Sequence, residues 1–512
     1  MILFSMNKKG LLITIIVITA VIMLLIIVLN NQISYKKLSV DSTKWESIIN
    51  SRTESTNLAL KSIKFNDYNL LIDENSSSLY YSVIDNISNK YEPDVSFEAS
   101  SNDIKIAVLE DEITDEKIAE NHQFQIVIYN DKEYRLYNLI CTNLPILSIN
   151  YNENTSKNND IPMNIYLFNN SGSSVNKVVR SNGKLNIVKS DNEKKDYSFS
   201  LFQESLGRNE RENNISILNM SKHNEYILNS MYDDTDKIRN IFSTNLWNET
   251  AEEREDAYNY VELFVNGEYI GLYSLGYNIE REKMMMNRGE FIFFKNQFSD
   301  SESSMKTDER PEGYVLYDNN MIKVKKKDEP KKVNEWNELY KYYEIINGDD
   351  AEKIKEVCDL DNSIKLYLFY MLTQASNNVN EETFNNTYLM FKNPRQEYFV
   401  KYYPWNLNGT FGNNVEDNSY IMKYNPVTRL IELGDEETIN KVKEIYTSLR
   451  NGKWSLENIN NMISNYENEL SSSGAYLRDM SKWSDGESLD LSDFKEYVQK
   501  RLEYMDEYIK EI

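Results

Sequence analysis

Four asparagines carry the chemical interest of this sequence. Asn380 is followed five positions later by Asn385, and beyond them comes Pro404-Trp405-Asn406-Leu407-Asn408-Gly409-Thr410-Phe411-Gly412, with an amide on either side of Leu407. An amide oxygen ligates a hard cation, but it brings no charge to neutralise the metal and takes no proton near neutral pH. A reaction that needs both a metal cage and a base is therefore short of carboxylates here. Glu381, Glu382, Glu416 and Asp417 stand nearby and would supply one only through a different geometry. Asn408-Gly409 is also a turn signal in its own right.

The elements that must hold these amides are helical. Trp336, Leu339, Tyr340, Tyr343 and Ile346 recur at helical spacing, and the run from Ile364 to Leu372 reads as a buried helix leading towards Asn380. Ile439, Val442, Tyr446 and Leu449 form another stripe that stops at Asn451-Gly452, and Phe494, Val498, Leu502, Met505 and Ile509 mark one face of a last helix. Upstream the pattern is different. Residues 146 to about 300 mix strands with one or two helices, and Val261 to Tyr273 predicts two strands joined by Asn266-Gly267, the strongest short hairpin signal. Residues 296–332 are polar, and their Lys325-Lys326-Lys327 reads as a solvated loop.

Before these lies a stretch of short β-type runs, residues 56–145, including Ile104 to Val108 and Gln125 to Tyr129, the latter closed by Asn130-Asp131. Alternation and turn signals predict a small β-sandwich of immunoglobulin-like topology, a spacer or adhesion module. Residues 30–55 are polar and read as a stalk. Leu11 to Leu29 carries no charge, follows Lys8 and Lys9, and is long enough to span a bilayer as a helix. No small-residue cleavage site follows it, which predicts a retained signal anchor, a short cytoplasmic N-terminus (residues 1–10) and everything beyond the anchor outside the cytoplasm.

Composition sets the outer bounds. A chain of 512 residues buries more than one core, and a net charge of −24 repels a phosphate backbone, so nucleic acid is not an expected partner. Two cysteines, Cys141 and Cys358, and two histidines, His122 and His223, speak against a disulfide framework, a zinc hydrolase and a histidine-based triad.

Several short segments together resemble the CotH family, the spore-coat-protein-H-type secreted kinases, over roughly residues 140–512. They are Leu144-Pro145-Ile146, Gly172-Ser173-Ser174, Lys194-Lys195-Asp196-Tyr197, Asp234 to Asn240, Val265 to Tyr273, Asn380 to Tyr388, Pro404 to Gly412 and a tail from Trp483 to Arg501, in the family's order. The resemblance implies an α+β, two-lobed protein-kinase-like domain over 146–512, with a β-rich lobe to about 300 and a helical lobe from about 333. It also implies ATP with Mg or Mn as cofactors. Gly172, Ser173 and Ser174 would lie at the nucleotide phosphates, where small residues let backbone amides approach an anion, and Lys194 or Lys195 would pair with those phosphates. Read locally, the first is also an ordinary turn and the second an exposed lysine at a strand start. Asp234, Arg239 and Asn240 would open a helix supporting the site, or simply cap it, with Arg239 on the surface.

Asn380 falls at the family's catalytic Asp position, Asn385 at a retained metal-binding Asn, and Asn406 and Asn408 at two further metal positions where the family usually has Asp. Tyr277 stands where the family commonly places Glu. The expected function is that of a degenerate kinase, a membrane-anchored extracytoplasmic scaffold for secreted, coat or surface proteins in spore coat or envelope assembly. An active kinase for Ser or Thr of such proteins is the alternative. A surface protein whose β-sandwich does the binding is a third reading.

Overall fold

The computed structural model describes residues 38–66, 68–83, 93–152, 161–169, 179–188, 190–203, 211–218, 220–251, 257–278, 286–287, 289–295, 335–379, 386–393, 397–413, 423, 425–484 and 488–512, with backbone alone for 33–34, 295 and 314–317. The apolar run 11–29, Gly172-Ser173-Ser174, Lys325-Lys326-Lys327, Asn380 and Asn385 lie outside the described residues. Among the described residues no helix is long and apolar enough to cross a membrane.

Up to residue 142 the chain is β-rich. One sheet runs Ile33–Ser34, Asp94–Ala99, Leu60–Phe65, Tyr68–Asn69, and a larger one Ser39–Val40, Lys105–Leu109, Gln123–Tyr129, Glu133–Thr142, Ser78–Ser82, Leu71–Asp73. The two share a core, with Ile63, Phe65 and Val95 from the first meeting Leu79, Ile126, Tyr137 and Leu139 from the second. A short helix, Asp115–Ala119, is capped by Thr114, whose side chain accepts from the Lys117 N–H.

From residue 146 a seven-stranded barrel closes: β1 (Ile146–Tyr151), β2 (Ile161–Phe168), β3 (Val179–Ile187), β4 (Tyr197–Phe202), β5 (Glu225–Asn229), β6 (Asn259–Val265) and β7 (Glu268–Tyr277), in the order β1-β2-β3-β4-β5-β7-β6. In β4 every second residue is buried, which is how a strand fills a barrel interior while facing out on the other side. β6 and β7 form the expected hairpin. Asn266 and Gly267 take φ of 52° and 83°, the backbone of the two-residue turn that matches strand twist. Closure comes from β1 pairing in parallel with β6, Ile146 opposite Glu262.

Between β5 and β6 lies α1 (Arg239–Ala251). The helical part then holds α2 (Glu335–Ile346), α3 (Ala351–Glu356), α4 (Leu360–Thr373), α5 (Val427–Glu432), α6 (Glu436–Arg450), α7 (Leu456–Ser472), α8 (Ala475–Trp483) and α9 (Ser492–Glu511). It is not purely helical. A four-stranded sheet of β8 (Phe291–Lys295), β9 (Tyr314–Tyr317), β10 (Thr387–Lys392) and β11 (Phe399–Pro404), ordered β9-β8-β10-β11, draws one pair from before α2 and one from after α4. The split expected near residue 300 is thus bridged by backbone pairing. α4 is buried almost throughout, and all five residues of the α9 stripe are buried, packed in one core with Trp247, Phe369, Tyr402 and Trp454. Mixed helix and strand content agrees with the α+β expectation.

Candidate functional site

The site is assembled where the segment 230–238, between β5 and α1, meets the barrel rim, α8 and the turn after β11. At its centre is Lys194, just before β4. Its side chain is buried, and its ammonium donates to Ser230 O at 2.8 Å, Leu272 O at 2.6 Å and Asp479 Oδ1 at 2.6 Å. A lysine has three donors, and these contacts occupy all three. Burial pulls its pKa down to about 8 against the attraction of Asp479. The exposed-lysine reading is therefore corrected. Ahead of the strand, Lys194 turns inward beneath the 230–238 segment, while Lys195 takes the solvent side and bonds Ser190 O at 2.8 Å.

Asp479 comes from α8. Its Oδ1 also accepts the Leu272 N–H at 2.8 Å, and its Oδ2 lies 3.6 Å from the Lys237 ammonium, which donates to Met231 O at 2.9 Å. Such an approach needs a residue without a side chain on β7. Gly271, at φ 129°, provides it, since a Cβ there would stand 2.3 Å from Asp479 Oδ1. The neighbouring Arg478 grips Glu262 of β6 from Nε (3.0 Å) and Nη2 (2.5 Å), so adjacent residues of one helix pin two adjacent strands. Burial raises the Glu262 pKa, and Arg478 opposes the rise.

Asp234 is buried and holds Arg239 twice, accepting its backbone N–H at 2.7 Å and its Nη1 at 2.6 Å, while Asp236 takes the same Nη1 at 2.7 Å. Arg239 is only 11% exposed and stacks over Phe494, so it supports the site from within and does not lie on the surface. Asn240 is buried in the first turn of α1.

The amide turn follows β11. Asn406 sits in the left-handed region at φ 53°, and its Oδ1 accepts from Asn408 Nδ2 at 2.8 Å. Asn408 Oδ1 is buried without a hydrogen-bond partner, as is Asn378 Oδ1. Asn378 Nδ2 bridges the carbonyls of Trp405 (2.7 Å) and Asn386 (3.1 Å), and Asn413 Nδ2 reaches Asn408 O (2.9 Å) and Asp233 O (3.5 Å). Ser243 of α1 and Thr410 share a 2.8 Å hydroxyl contact. The 230–238 segment thus touches both Lys194 and the amide turn, which brings two of the sequence-derived groups together.

Tested against a nucleotide and its metal, the described residues fit poorly. Lys194 has no donor left for a phosphate, and the turn from Pro404 to Asn413 contains no carboxylate: its side-chain oxygens are three amides, one already used by its neighbour, and the Thr410 hydroxyl, which is bonded to Leu407 O and Ser243. No step is routed through either group. Tyr277 is buried and stacks flat on His223, 4.4 Å between ring centroids. Asp479, Lys237, Asn378 and Arg478 were missed from sequence. The signal for Asp479 was a charge on the apolar stripe Tyr476, Met480, Trp483.

A family model described as CotH kinase protein matches residues 179–511, from the first residue of β3 to the last of α9. The chain belongs to the CotH family. The matched CotH region contains Lys194, the 230–238 segment, the amide turn and α8, and it begins after the β-rich N-terminal part. No curated protein matches the chain.

Proposed function

We propose that this CotH-family protein is a degenerate kinase, held at the outer face of the membrane by residues 11–29, that binds and organises secreted, coat or surface proteins in spore coat or envelope assembly. The observation that carries this is the saturated ammonium of Lys194, whose three donors are all taken inside the protein. A phosphate arriving there has to part the buried ion pair with Asp479 or displace a backbone carbonyl, and a displaced carbonyl is left buried and unpaired at a cost of about 1–3 kcal/mol. The amides at 380, 406 and 408, set against the acids usual for the family, support the same reading.

Titration calorimetry of ATP into residues 38–512 with Mg, with Mn and with EDTA tests it. No heat of binding in any of the three, from folded protein, is the expected result; metal-dependent binding overturns it. The alternative, an active Ser/Thr kinase of coat or surface proteins, draws on the buried oxygens of Asn378 and Asn408, which have no hydrogen-bond partner. Phosphotransfer that appears only in Asn380→Asp, Asn406→Asp or Asn408→Asp variants would mark the native site as one that has lost its acids.

A further inference from the structure

The N-terminal β-rich part is seated directly on the helix that carries Asp479. α8 is preceded by Gly474, whose φ is 67°, and a Cβ there would lie 2.5 Å from Ile118 O and 3.3 Å from Asn121 Cα. The turn after the helix Asp115–Ala119 therefore packs against bare backbone. Asn121, itself at φ 55°, presents its Oδ1 to Arg478 Nη1 at 3.0 Å, and Asn143 donates to Ser472 O at 3.3 Å just ahead of α8. Elsewhere in the same interface Tyr80 stacks on Tyr269 of β7 at 4.9 Å, and Asp73 Oδ2 accepts the Tyr269 N–H at 3.3 Å.

Arg478 is the link. It is buried, and its guanidinium is shared among Asn121, Glu262 and Ser473 O, while the next residue, Asp479, holds Lys194. A helix turns about 100° per residue, so neighbouring side chains on α8 face different partners and fixing one sets the rotation that aims the other.

From this we infer that the N-terminal part is a positioning element of the CotH site. The 118–121 turn, acting through Arg478, holds α8 at the rotation that keeps Asp479 on Lys194, so loosening that turn releases the lysine. Asn121 and Arg478 are positioning residues. Anything that binds or strains the N-terminal part would then change the state of a group on the far side of α8. This rests on the reading of Lys194 as the cation of the site, but its test reads the ammonium itself and does not depend on whether nucleotide binds.

The test is pulsed acylation of the full chain in detergent, followed by peptide mass spectrometry, with the solvent-side Lys195 as internal reference. Asn121→Gly removes the acceptor and tolerates the positive φ, and Gly474→Ala places a methyl against Ile118 O. Each should raise Lys194 labelling relative to Lys195 by about fivefold or more, the effect of losing one hydrogen bond from a local closing equilibrium. Asn121→Asp keeps an acceptor and should restore protection. Val442→Ala, in the core of α6, should leave the ratio unchanged despite a lower global stability. Unchanged labelling in Asn121→Gly and Gly474→Ala, or an equal rise in Val442→Ala, overturns the inference.

Discussion

The Ser243 hydroxyl lies 2.8 Å from that of Thr410, and because Thr410 donates to Leu407 O at 2.9 Å, Ser243 is the donor of the pair. Both residues are buried, so α1 is fastened to the amide turn by a chain of two hydroxyls. Ser243→Ala leaves the Thr410 O–H still donating to Leu407 O and its lone pair bare. The expected loss is about 1 kcal/mol, read as a lower urea midpoint with unchanged slope.

Lys194 and Asp479 form a pair with both side chains 0% exposed. Lys194→Met strands a carboxylate and two carbonyls, and the expected destabilisation is about 3–5 kcal/mol. Lys194→Met combined with Asp479→Leu should recover part of that, because the carboxylate leaves with the lysine, while Lys237 loses its partner at 3.6 Å. Thermal melting of the two singles and the double measures the coupling. Equal loss in the double and in Lys194→Met would show that the carbonyls, and not the carboxylate, dominate.

Gly271→Ala makes a third case. The methyl would meet Asp479 Oδ1 at 2.3 Å on a backbone at φ 129°. Strain and overpacking together predict a loss of at least about 2 kcal/mol. Urea denaturation checks this, and Lys194 labelling should rise with it.

Acid sensitivity is expected at Asp506 of α9. Arg450 donates to it through Nε and Nη2, at 2.8 Å each, and the Tyr446 hydroxyl at 2.6 Å. Burial alone would raise its pKa, but these bonds outweigh burial and hold it below the ordinary carboxylate value. The unfolded chain therefore binds this proton first as pH falls. The stabilisation is present above about pH 4 and is lost as pH drops through the lower folded value. With Asp506 35% exposed, the pair is worth about 1 kcal/mol. Arg450→Ala should lower the urea midpoint at pH 7, and the gap to the native chain should shrink towards pH 2.

Much of the scaffold was legible in the sequence because its signals are local. Asn266-Gly267 encodes its own turn, and the α9 stripe from Phe494 to Ile509 records a single buried face. The site was only half legible. Lys194 stands out by its place in a motif, but its burial depends on Asp479, 285 positions away, and on Leu272, 78 away. Local pattern carries no trace of such pairings. Sequence order also hid the sheet of β8–β11, since its two halves are separated by three helices whose periodicity dominates that stretch.

The closed barrel has a consequence for how a partner can dock. Extended peptides often bind by adding a strand to an open sheet edge, where unpaired N–H and C=O groups wait. A ring of strands offers no such row. Among the described strands, a ligand that docks by strand addition is left with the N-terminal sheets or β9, because the outward backbone groups of β11 at Val400 and Tyr402 are already bonded to Val357, Asp359 and Asn362, and the barrel is open to recognition only through its side chains and loops.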